Sequence, residues 1–397
     1  MAPSKHTLEY KRYKSLEHWQ SQDEVVLLEE LNIPGKKTSL LFSYLYFKVK
    51  QEYERFPRRK NGKNQFTHPL NVVLDLRRAL VDDEVTLCAG LVHDLIEERV
   101  DLYKREHRLK DEKDGKKLDA YEEKVWVELE KDLLYFCQKN KCPQQKVQEL
   151  MSLLKLLTRH KRDFYYRSIS QIFNCPDESL REKAIQIKLA DRIHNIQSLD
   201  NYSEEAMLFQ CFKNLFILNN TKNYLQKKYG KKSDPNKGIH PIEKLFKKCC
   251  KATYDAFWMV CRKSVHKGMG SIESMLHLSF KKFAWEKGGM WAVTEMNPKD
   301  THPLRLYQGI IKKYDARLHH EWNTYEEMNK AEIDYCRKFF ADFKFSKEQL
   351  LAIIDYKDAY GLKEVIAKLL YDPEYVLEGF GCSALCKRGM ICMHGKK

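Results

Sequence analysis

Apolar residues recur along this chain at steps of three and four, and a two-residue alternation is sustained nowhere. That periodicity predicts helices throughout and an all-α fold. Its clearest stretch, marked by Leu87, Leu91 and Leu95, predicts a buried helix through Leu91-Val92-His93-Asp94-Leu95-Ile96-Glu97-Glu98. His93 and Asp94 are polar residues in that apolar setting. A buried carboxylate needs a partner, because an unpaired one costs several kcal/mol. A divalent cation suits a neighbouring His and Asp. Taken alone, such a pair reads more simply as a capping Asp beside a satisfied core His. The rest of the chain decides between the two.

Residues 1–38 are polar, with a short amphipathic piece at 25–31 that Ile33-Pro34-Gly35 breaks. A helix is expected over residues 39–55, with Ser39 as N-cap. The basic segment from Phe56 to Asn64 contains Asn61-Gly62, a strong turn signal. Thr67 or His68 caps the next helix and Pro69 opens it. Asp82-Asp83 favour the N-terminus of the helix carrying His93 and Asp94. Residues 103–117 are almost wholly charged, with Gly115 inside, and predict an inserted solvated loop or frayed helix. Amphipathic helices follow over about 118–139 and 144–159, on either side of Pro143. A short aromatic helix then covers 163–173, and Phe164, Tyr165 and Tyr166 in it read as packing. A helix over 179–199 puts Asp191 and Asn195 on one face, and Ser198 continues the line. Helical patterns run on to about residue 370, without internal repeats.

Charge and cysteine usage narrow the classes. The 397 residues carry a net charge of +15, which suits anionic partners such as nucleotides. The lysines are scattered through the helices, so they mark a solvated surface rather than a nucleic-acid groove. Most of the 12 cysteines fall in apolar helical patterns, as reduced thiols do in a cytoplasmic protein. Residues 1–19 are polar and basic without an apolar core, so no signal peptide is expected. No apolar run reaches membrane-spanning length. In the tail, Cys382, Cys386, Cys392 and His394 have zinc-ligand chemistry, but C-x3-C followed by C-x-H is irregular spacing and favours reduced thiols.

Four residues from three helices form the candidate centre: His68, His93, Asp94 and Asp191. Two imidazoles and two carboxylates suit a first-row divalent ion with open positions. Glu97 and Glu98 lie one turn beyond Asp94, where a carboxylate can orient or deprotonate water.

A first His, an adjacent His-Asp and a distal Asp resemble the HD phosphohydrolase superfamily, and finer features resemble its (p)ppGpp hydrolase branch, the Rel/Spo-like hydrolase domain. The basic turn Arg59-Lys60-Asn61-Gly62 leads to His68-Pro69. His93-Asp94-x-x-Glu97-Glu98 and Leu189-Ala190-Asp191-Arg192-x-x-Asn195 match its two further motifs, and Leu157-Thr158-Arg159 resembles another element. Residues 40–202 carry the resemblance. It implies an HD-domain helical bundle over 39–202, with 1–38 as a leading segment and 203–397 as a helical C-terminal extension of unnamed role. It implies removal of the 3′-pyrophosphate from guanosine tetra- or pentaphosphate. His68, His93, Asp94 and Asp191 would hold Mn²⁺ or a similar ion. Glu97 and Glu98 would serve the water and the leaving group, Arg59 would stack the base beside Lys60, and Asn195 and Ser198 would contact the nucleotide. Glu98 stands where the family has Asp, and the step from Asp94 to Asp191 is longer than in compact members. No synthetase domain is matched. The alternatives are the same chemistry on another nucleotide and a non-catalytic nucleotide- or nucleic-acid-binding protein.

Overall fold

The computed structural model describes residues 26–31, 39–59, 62–158, 164–199, 201–230, 240–267, 305–386, 389 and 391. Regular structure among them is helical, and the protein is all-α. The only extended pairing among the described residues is an isolated antiparallel bridge from Leu385 to Ile391. The described residues form two compact units, one of residues up to 201 together with 240–245, the other of 202–230 and residues from 246 onward.

The first unit opens with a single turn, Leu28–Leu31, and α1, Leu40–Tyr53. Ser39 caps α1 as expected, accepting from the Phe42 amide at 3.2 Å. Then follow α2 (Thr67–Arg78), α3 (Glu84–Val92), α4 (Leu95–Glu106), α5 (Asp111–Asn140), α6 (Gln144–Leu157), α7 (Tyr165–Phe173) and α8 (Glu178–Gln197). α8 packs against α2, α3 and α6, and α2 against α3. Val72, Val73, Leu76, Leu91, Ile187 and Ile193 are completely buried there. Gly90 makes the α2–α3 approach close: a Cβ on it would sit 2.8 Å from Leu76 Cδ1.

Three expectations need correction. The stretch through His93 and Asp94 is not one helix: α3 ends at Val92 and α4 starts at Leu95. Asp94, with φ −99° and ψ −6°, lies outside the usual spread of α-helical dihedrals. Thr67 and His68 do not cap α2, because both are already helical, and the Asn64 side chain instead accepts from the Phe66 amide at 2.8 Å. The charged stretch 103–117 is mostly helical, with only 107–110 outside α4 and α5. Lys and Glu are good helix formers. The Tyr103 ring stacks on Tyr121 at 3.9 Å, pinning α4 to α5, and Lys104 pairs with Asp111 across the turn. A non-helical Asp114 marks the kink beside Gly115.

The second unit holds α9 (Glu204–Tyr229), α10 (Pro241–His266) from residue 246, α11 (Arg305–Leu318), α12 (Trp322–Phe339) and α13 (Lys347–Tyr371). A capping box of Ser346 and Gln349 starts α13, which packs on α9, α11 and α12. Asn219 donates to the Leu377 and Phe380 carbonyls at 2.9 and 2.7 Å, tying down the chain after α13. No helix among the described residues is long and apolar enough to cross a membrane.

Candidate metal centre

His68 is the second residue of α2, His93 and Asp94 form the α3–α4 junction, and Asp191 lies in the middle of α8. One ligand atom from each lies within 4.8 Å of the other three. His68 Nε2 is 3.2 Å from Asp94 Oδ2 and 3.3 Å from Asp191 Oδ1. His93 Nε2 is 3.2 Å from Asp94 Oδ1 and 3.9 Å from Asp191 Oδ1. Both Nε2 atoms are buried, and neither completes a hydrogen bond to the oxygens it faces. Four such atoms within 4.8 Å of one another could share one ion. Ligand bonds of about 2.0–2.2 Å around one divalent ion place neighbouring donors roughly 3 Å apart. The donor set therefore fits a first-row divalent ion. His68, His93 and Asp191 are almost wholly buried, whereas the Asp94 side chain is 30% exposed and marks the open side.

A surrounding shell fixes these ligands. His93 Nδ1 lies 2.9 Å from the Gly90 carbonyl, which can only accept, so Nδ1 carries the hydrogen and Nε2 faces the centre. His68 Nδ1 lies 2.8 Å from His194 Nδ1. For His68 to offer its Nε2 lone pair, its own Nδ1–H must donate and His194 must accept. Asn195 donates to Asp191 Oδ1, and Lys188 pairs with Asp191 Oδ2 at 2.9 Å. Sequence reasoning missed Lys188 and His194 as site residues. Each lies three positions from Asp191, and that spacing was the available signal.

The electrostatics follow from burial and proximity. Burial opposes a charged His93, yet Asp94 first and then Asp191 hold its pKa up at about 10. Burial would raise the Asp94 and Asp191 carboxyls, but His93 beside the former and Lys188 beside the latter hold both below the ordinary range. Burial and then the Asp94 charge push Glu98 up.

Arg59 and Ser198 meet: Arg59 Nη2 donates to Ser198 Oγ at 3.3 Å. The Gly62 amide donates to the Arg59 carbonyl at 2.8 Å, and Gly62 takes φ +80°, closing the expected turn. Lys60 and Asn61 themselves lie outside the described residues. Tyr165 and Tyr166 are buried, consistent with packing. Of the tail residues, Cys392 and His394 lie outside the described residues, and no ligand cluster among the described ones includes Cys382 or Cys386. A cavity of about 520 Å³ lies beside α4, α5 and α6, and none of the four ligands lines it. Asp111, Asp119, Glu122 and Glu123 against Lys155 make it unsuited to a phosphate. No family model, no curated protein and no solved structure matches this chain.

Proposed function

We propose that the chain is a metal-dependent phosphohydrolase that removes the 3′-pyrophosphate from guanosine tetra- or pentaphosphate. The observation that supports this best is the convergence of two buried, hydrogen-bond-less imidazole nitrogens and two carboxylates within 4.8 Å. His68, His93, Asp94 and Asp191 hold the ion, with Mn²⁺ suited to a mixed imidazole and carboxylate set. Once bound, the ion polarises a phosphoryl oxygen and makes water more acidic.

The chain's own residues do the rest. Glu97, on the first turn of α4, takes the proton of the attacking water. Glu98, whose pKa is pushed up by burial and by Asp94, supplies a proton to the departing oxygen. Asn195 and Lys188 hold Asp191 in one orientation. The half-buried Arg59 offers a planar cation for stacking on the purine, with Ser198 setting its direction. Hydrolysis consumes one water and releases pyrophosphate and guanosine 5′-diphosphate or 5′-triphosphate, with a free 3′-hydroxyl. Guanine is named on the resemblance of the turn and of the three motifs.

The test is a nucleotide panel assayed with Mn²⁺ for released pyrophosphate and orthophosphate, beside metal content. Pyrophosphate from the guanosine alarmones, lost in Asp94→Asn, is the expected result. Orthophosphate, or turnover of other nucleotides alone, overturns the substrate assignment. Bound metal with no turnover of any nucleotide overturns the enzyme assignment and leaves a binding protein.

A further inference from the structure

The two imidazoles of the centre are held in different ways. His93 has its Nδ1 on the Gly90 carbonyl at 2.9 Å, and a carbonyl can only accept. His68 has its Nδ1 on another imidazole, the Nδ1 of His194 at 2.8 Å, with the ring centroids 4.9 Å apart. An imidazole nitrogen can donate or accept, so this contact admits two arrangements. In one, His68 donates, its Nε2 keeps a lone pair, and His194 carries its hydrogen on Nε2. In the other, His194 donates, and His68 carries its hydrogen on Nε2, where it faces the centre and excludes an ion.

The surroundings make the first arrangement depend on His194. His68 Nε2 is 3.2 Å from Asp94 Oδ2 and 3.3 Å from Asp191 Oδ1, and these carboxylates draw a hydrogen toward it. On the other side of the ring His68 is buried, so water does not reach its Nδ1. An Nδ1–H without an acceptor there would pay the cost of a lost hydrogen bond, and the hydrogen would move to Nε2. His194 is 1% exposed and shares a helix face with Ile187, Ala190 and Ile193, all completely buried. If it only filled that space, an apolar side chain would do so without burying polar atoms.

We propose that His194 is a positioning residue of the centre: its Nδ1 accepts from His68 and fixes the His68 tautomer whose Nε2 can take the ion. This rests on the metal-dependent reading. It gives α8 two tasks, supplying Asp191 as a ligand and orienting the ligand that α2 supplies. His194 acts through His68 and not on the substrate, so its effect appears in metal affinity before any turnover.

His194→Asn places an amide oxygen near the position of Nδ1 and keeps an acceptor there. His194→Leu and His194→Phe keep apolar packing and remove the acceptor. The full chain is measured in each case for Mn²⁺ affinity by titration calorimetry and for the melting temperature of the metal-free protein. The expected result is Mn²⁺ affinity within about threefold of wild type for Asn and weakened about 10- to 100-fold for Leu and Phe, whatever order the melting temperatures take. Leu and Phe differ in size, so if one fails to fold the other decides against Asn. A packing role predicts the reverse order, with Leu or Phe near wild type and Asn weakest, and that order overturns the proposal. Equal loss in all three variants overturns the acceptor role too. Wild-type affinity in every variant overturns it and leaves the four ligands standing. Absence of Mn²⁺ binding by the wild type removes the metal-dependent reading itself, and the role of His194 with it.

Discussion

Loading the centre with metal should release a proton, and the structure says which one. In the metal-free chain His93 is held protonated by Asp94 and Asp191, with its pKa raised from 6.5 to about 10. Its Nδ1–H is committed to the Gly90 carbonyl, so the proton that leaves is the one on Nε2, where the ion binds. At about pH 7 the ion displaces a proton held some three pH units too tightly, which costs about 4 kcal/mol, or ~10³-fold in affinity. Apparent affinity should therefore climb roughly tenfold per pH unit between about pH 7 and 9. The assay is titration calorimetry with Mn²⁺ in buffers of different ionisation enthalpy, whose slope counts protons. A slope near one proton per ion is expected. A slope of zero with pH-independent affinity would refute the argument. In metal-free protein the His93 contribution to stability has the matching sign. It is complete below about pH 6.5 and is lost as pH rises through about 10. Asp94 and Asp191, held low, contribute above the ordinary carboxylate range and lose that contribution on acidification.

Glu97→Gln should lower kcat by roughly 10²-fold or more if Glu97 takes the water's proton. Glu98→Asp should be tolerated in the same pyrophosphate-release assay, and a dead Glu98→Asp beside a near-normal Glu97→Gln reverses the two roles. Arg59→Ala should raise KM for guanosine tetraphosphate by about 2- to 30-fold with kcat largely intact. Arg58→Ala should do much less, since Arg58 is exposed and its guanidinium is bonded to the Gly62 carbonyl at 2.9 Å. Equal small effects of both on every substrate would reduce the turn to an electrostatic funnel. Lys313→Met should destabilise the second unit by about 3–5 kcal/mol in a urea titration, because it strips a buried cation from Glu332 and Asp358. Unchanged stability would mean that those carboxylates find other partners.

What the sequence made legible depended on how local the deciding physics was. Ser39 caps its helix through a contact three residues away, and such a contact can be read from a string; Asp83 and Asp177 cap theirs in the same way, though only the first turn's acidity was read at Asp83 and no cap at Asp177. The break at His93-Asp94 could not be. Leu87, Leu91 and Leu95 keep their periodicity across it, because a deviation confined to one residue barely disturbs the apolar face. The 103–117 stretch failed for the opposite reason: its charges argued for solvent, while the decisive contact is Tyr103 on Tyr121, eighteen positions apart. In the sequence His194 falls on one helix face with Ile187, Ala190 and Ile193. It is core by burial, and its partner His68 lies 126 positions away.

Comparing the two buried charge clusters tells a closed network from one built for a ligand. In the second unit Lys313 and Lys357 alternate with Glu332 and Asp358. Lys313 reaches Glu332 at 2.7 Å, Lys357 reaches Glu332 and Asp358 at 2.5 and 2.8 Å, and Lys313 also pairs with Asp358. Tyr314 donates to Asp358 at 3.0 Å. Two cations face two anions, every carboxylate has an ammonium, and the low dielectric strengthens each pair. Such a set needs nothing from outside. Around Asp191 lie two buried imidazoles whose Nε2 atoms lack hydrogen bonds, the partly exposed Asp94, and the half-buried acids Glu97 and Glu98. Lys188 offsets one of those negative charges. Protonating His93 offsets another, which is why its pKa climbs to about 10. A divalent cation at the shared point would replace that proton and satisfy both nitrogens at once. Asp358 Oδ1 also completes no hydrogen bond, so it is the balance of charge, two ammoniums for two carboxylates in one cluster and carboxylates in excess in the other, that separates them.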